Sequence, residues 1–112
     1  MYVIAGLGNP GKKYEHTRHN AGFDVIDILS DRYGIPLRRR MFRGLYGKGV
    51  IEGEKVILLK PQTYMNCSGE SIAPLCRHYR VEVESRLIVI SDDISMNVGR
   101  LRTRGSGSAG GH

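Results

Sequence analysis

The 112-residue chain has no tryptophan, two phenylalanines, four prolines and two cysteines. Cys67 and Cys76 stand nine positions apart with no CxxC pair, so the spacing encodes neither a disulfide framework nor a zinc site. Two reduced thiols are expected, in keeping with a cytoplasmic setting. No apolar run approaches the ~20 residues of a membrane helix. Met1 is not followed by the basic, apolar and small-residue sequence of a secretory leader. These absences point away from membrane association and toward one domain. Acidic residues are the minority, eleven against 17 Lys and Arg, which gives a formal charge of +6 and a pI near 9.6. With 40% hydrophobic and 25% charged residues the chain has a core to bury, so wholesale disorder is excluded.

Three separate segments contribute clusters of cations. Arg38, Arg39, Arg40 and Arg43 follow the first expected helix, Arg77 and Arg80 close the second, and Arg100, Arg102 and Arg104 alternate near the end. Each cluster alone reads as a solvated face or a helix C-terminus complemented by charge. Together they favour a polyanionic partner, nucleic acid above all.

Periodicity predicts a strand over 2–7, then a helix over 21–33 whose broad apolar face includes Phe23, Ile26 and Tyr33, stopped by Gly34 and Pro36. Strand-like runs at 45–51 and 55–60 are joined at Glu52-Gly53-Glu54, a hairpin connection. Ser68 is positioned to cap a helix over 69–80, which Pro74 is expected to bend. Arg86-Leu87-Ile88-Val89-Ile90 reads as a buried strand that delivers Ser91, Asp92 and Asp93 at its C-terminal end. Alternating strands and helices predict a single α/β domain with a central mixed, largely parallel sheet flanked by helices.

One loop carries chemistry. Tyr2-Val3-Ile4-Ala5 empties into Gly6-Leu7-Gly8-Asn9-Pro10-Gly11, then Thr17-Arg18-His19-Asn20-Ala21-Gly22, which brings an Asn and a His to one rim. Neutral His near pH 7 is a ready general base. The glycine spacing matches a dinucleotide fingerprint, but the helix starts too late and Asp27 and Asp31 fall inside it, where no ribose partner belongs. His16 and His19 have no third ligand nearby that would make a metal site.

Four segments occur in one order: the Asn9 and His19 loop, Lys60-Pro61-Gln62-Thr63-Tyr64-Met65-Asn66-Cys67-Ser68-Gly69, the strand ending in Asp92-Asp93, and Ser108-Ala109-Gly110-Gly111-His112. Together they resemble the bacterial peptidyl-tRNA hydrolase family. The resemblance implies hydrolysis of the ester between a peptide and the 3′ ribose of tRNA, by a cytoplasmic monomer that needs no cofactor and no metal. It assigns His19 as the base that activates water and Asp92 as the carboxylate that orients it. Asn9 completes the catalytic group as the sensor of a blocked amino end. Tyr14, Tyr64, Asn66 and His112 are assigned to substrate and tRNA binding, His112 within a glycine-rich loop over 105–112. The resemblance also implies a domain over 1–112 that lacks the family's C-terminal portion. The other reading of the same fold is a non-catalytic RNA-binding relative.

Overall fold

The computed structural model describes residues 1–11, 20–91 and 95–97. Strand β1 (Tyr2–Gly6) alternates Val3 and Ala5 toward one face of the sheet with Tyr2 and Ile4 toward the other, the period of two that a doubly covered strand requires. Helix α1 (Ala21–Tyr33) ends at Gly34, whose N–H returns to the Ser30 carbonyl. Three strands follow, β2 (Arg39–Met41), β3 (Gly44–Ile51) and β4 (Glu54–Pro61). A 3-10 turn over Met65–Cys67 leads into α2 (Gly69–His78), and a single helical turn α3 (Val83–Arg86) precedes β5 (Leu87–Ile90). The described residues end with β6 (Ser95–Asn97).

The six strands form one sheet in the order β2-β3-β4-β1-β5-β6. β1 pairs in parallel with β4 on one side and β5 on the other, while β2·β3, β3·β4 and β5·β6 are antiparallel. The sheet is thus mixed, as the sequence predicts, but not largely parallel: among the described strands only the two pairings of β1 are parallel, and the other three are antiparallel. The reason lies in the connections. A two-residue hairpin can only reverse the chain, whereas a parallel pair needs a crossover. Glu52 and Gly53, at φ 51° and 82°, make such a hairpin between β3 and β4.

The two crossovers lie on opposite faces. On one, Ile26 of α1 packs with Ile35, Val56 and Leu58. On the other, Ile72, Leu75 and Cys76 of α2 pack on Val3, Ala5, Ile57, Leu59, Leu87 and Val89. Burial there pushes the Cys76 thiol up to about 11, leaving it a small hydrophobe at neutral pH. Ile88, the register partner of Ile4, is 38% exposed, so the α1 side of β5 is only partly covered.

One local expectation changes. Ser68 immediately precedes α2 but makes no side-chain capping bond, because the 3-10 turn already gives it helical dihedrals (φ −57°, ψ −31°). Its carbonyl instead accepts the N–H groups of Ser71 and Ile72, both at 3.0 Å. Pro74 lies inside α2, which runs to His78, two residues short of the expected end, with Ile72, Leu75 and Cys76 anchored in the core. The basic segment 38–43 is itself structured: Phe42 and Arg43, at φ 57° and 55°, form the two-residue turn of a β2–β3 hairpin.

Candidate active site at the carboxyl edge of the sheet

Because β1, β4 and β5 run parallel, their C-terminal ends share one edge of the sheet. This edge is the usual place for a site in an open α/β sheet. Its geometry starts from two glycines. A Cβ on Gly22 would meet the Ile90 carbonyl and the backbone N and O of Leu7, each at 2.5 Å. One on Gly6 would collide with the Gly22 carbonyl. The start of α1 therefore lies directly against the end of β1, and the Leu7 N–H closes onto the Ile90 carbonyl at 2.9 Å. Gly8 continues the contact against the face of Phe23, 2.8 Å from a Cβ position, and Lys60 stands over the same ring at 5.1 Å while bonding Asp27 at 2.9 Å. The glycine run seats a strand end on a helix; α1 itself begins only at Ala21.

On this platform Asn20 holds Asn9. The Asn20 side chain, in a residue only 2% exposed, accepts the Asn9 N–H through Oδ1 at 2.9 Å and donates from Nδ2 to the Asn9 carbonyl at 2.9 Å. This double bond of donor and acceptor fixes the backbone from which the Asn9 side chain springs. It also explains why Asn20, at the N-cap position of α1, makes no capping bond: its amide is already engaged. In the sequence, Asn20 carries no signal beyond being a polar residue between His19 and a helix start.

The segment after β4 supplies the neighbouring rim. Tyr64 is 58% exposed, Asn66 is exposed, and the Cys67 N–H bonds the Tyr64 carbonyl at 2.8 Å to close the turn between them. A cavity of about 340 Å³ opens there, lined by Arg43, Gln62, Thr63, Tyr64, Cys67 and Glu70. Of the residues singled out from sequence, Asn9, Tyr64 and Asn66 thus sit at the carboxyl edge. His19, Asp92, Tyr14 and His112 lie outside the described residues. The described residues that adjoin the first two in sequence, Asn20 and Ser91, are both at this edge.

Residues 3–112 match the model of the family described as peptidyl-tRNA hydrolase. The chain belongs to the peptidyl-tRNA hydrolase family. Peptidyl-tRNA hydrolase from Clostridium novyi is 61% identical over all 112 residues, and that from Agathobacter rectalis is likewise 61% identical. The chain spans 59% and 60% of those two relatives, about three-fifths of their length. Among solved structures, the crystal structure of peptidyl-tRNA hydrolase from Acinetobacter baumannii aligns with a TM-score of 0.76 at 44% identity, covering 81% of this chain and 46% of that one. In this peptidyl-tRNA hydrolase fold, the described carboxyl edge holds no cluster of three His, Cys, Asp or Glu side chains arranged for a metal ion. Among the described residues no helix is long and apolar enough to cross a membrane.

Proposed function

We propose that this chain carries the ester-cleaving site of a peptidyl-tRNA hydrolase, acting as a monomer in the cytoplasm on peptides left attached to tRNA. The observation that carries the reading is the Asn20 clasp on Asn9, at the edge where the ends of β1, β4 and β5 converge. A sensing amide must be held rigidly to discriminate between substrates, and here both polar groups of its backbone are fixed.

In this mechanism His19 removes a proton from water as the oxygen attacks the ester carbonyl. The C–O bond to the ribose 3′ oxygen then breaks, and the imidazolium returns the proton to that leaving oxygen, giving a tRNA 3′ hydroxyl and a peptide carboxylic acid that releases its proton to solvent as the carboxylate. Asp92, on the other ring nitrogen, holds the tautomer and stabilises the imidazolium. Asn9 bonds the acylated nitrogen of the peptide, where an ordinary aminoacyl-tRNA presents an ammonium. Tyr14, Tyr64, Asn66 and His112 hold the peptide and the terminal nucleotide, with an aromatic face suited to a stacked base.

The test is hydrolysis of N-acetylaminoacyl-tRNA by wild type, His19→Ala and Asp92→Asn across pH. We expect kcat/KM to rise with pH as the His19 imidazolium loses its proton and becomes able to act as base. His19→Ala should lower the rate by about 10²–10⁴-fold, and Asp92→Asn should lower it by less. Unchanged rates in His19→Ala would remove His19 as the base.

A further inference from the structure

The arginine cluster after α1 is a hairpin, and its position gives it work to do. A second cavity, of about 270 Å³, is lined by Arg40, Met41, Arg43, Gly44 and Gln62. It shares Arg43 and Gln62 with the cavity beside Tyr64, so the two form one groove from the β2–β3 turn to the exposed Tyr64 ring. The Gln62 N–H bonds the Arg43 carbonyl at 2.8 Å, which ties the turn to the segment leading toward Tyr64.

We infer that this groove is a phosphate track for the RNA strand of the substrate, with Arg40 and Arg43 binding phosphodiesters that lead to a base at Tyr64. The inference rests on the peptidyl-tRNA reading and adds to it a place and residues for the RNA backbone. Three observations carry it. First, Phe42 and Arg43 occupy left-handed dihedrals without being glycine, a strained conformation that persists where the surroundings enforce it. The enforcement is visible: Phe42 lies against His78 and Tyr46, at ring separations of 5.3 and 6.0 Å. Second, Arg43 pairs with Glu70 across the groove, although both side chains are more than half exposed, at 69% and 54%. An exposed pair is weak and exchangeable. It therefore holds the guanidinium over the groove yet releases it to a phosphate, which a planar fork binds well. Third, the walls combine cations with an aromatic ring and the Gln62 amide, the composition of a nucleic-acid groove rather than of a site for a free anion.

The test is binding of uncharged, fluorescently labelled tRNA, measured by anisotropy over a salt series, so that no ester chemistry enters. Arg40→Gln and Arg43→Gln should each weaken binding by about five- to tenfold and reduce the salt slope by about one. Glu70→Gln, which frees Arg43 without removing a cation, should bind more tightly. Lys55→Gln removes the same charge from the start of β4, at the opposite edge of the sheet, and should weaken binding far less. Equal losses in Lys55→Gln and Arg43→Gln, or unaltered binding in both arginine variants, would overturn the track, as would weaker binding in Glu70→Gln. If the chain cleaves peptidyl-tRNA while the arginine variants bind like wild type, only this inference fails. If it cleaves nothing but binds tRNA through the arginines, the hydrolase reading fails and the track stands.

Discussion

At the residue scale, the site depends on a buried amide that contacts no substrate in the proposed mechanism. Asn20→Ala would strip partners from the Asn9 N–H and carbonyl at once, at a stability cost of about 1–3 kcal/mol. Because Asn9 would also lose its fixed backbone, kcat/KM on N-blocked aminoacyl-tRNA should fall, with discrimination against unblocked aminoacyl-tRNA falling alongside. Kinetics on both substrates, paired with a denaturant melt, check this. A purely structural role for Asn20 would lower stability and leave discrimination intact. Sequence made Asn9 legible because motif order singles it out, but not Asn20, since hydrogen bonds between residues eleven apart leave no periodic trace. Tyr46 teaches the same lesson. Burial, reinforced by the Tyr79 hydroxyl 2.8 Å away, raises its pKa, and no local pattern predicts that pairing.

At the element scale, sequence located the segments with strong periodicity and missed those shorter than a turn or two. Helix α1 and strands β1, β3, β4 and β5 fall within a residue or so of expectation, since each carries a continuous apolar face. β2, α3 and β6 are three or four residues long, below what periodicity can register. The hairpin at Phe42-Arg43 was hidden for another reason: its turn uses two non-glycine residues where glycine or asparagine is the usual signal. The packing of α1 on β1 yields a prediction in which two effects oppose. Gly22→Ala gains up to about 1 kcal/mol in helix propensity. Against this, the new methyl meets three backbone atoms at 2.5 Å that no side-chain rotation can relieve, an overpacking cost of about 1–3 kcal/mol or more. Overpacking wins, so the denaturation midpoint should drop; a rise would mean that the helix and strand ends are not in contact.

At the scale of the whole molecule, the α/β class and the mixed sheet were legible from alternating periods, while the antiparallel pairings of β2, β3 and β4 followed from two hairpin turns, of which the sequence showed the type only at Glu52-Gly53. The net charge of +6 gains a location, since part of it lines a groove that reaches the carboxyl edge. In the proposed function, this edge cleaves the ester of peptidyl-tRNA. The most direct measurement is single-turnover release of tRNA from N-acetylaminoacyl-tRNA by the 112-residue chain, with unblocked aminoacyl-tRNA in parallel. Release well above background is expected from the blocked substrate, and little from the unblocked one. Tight binding of both with no release above background would contradict it.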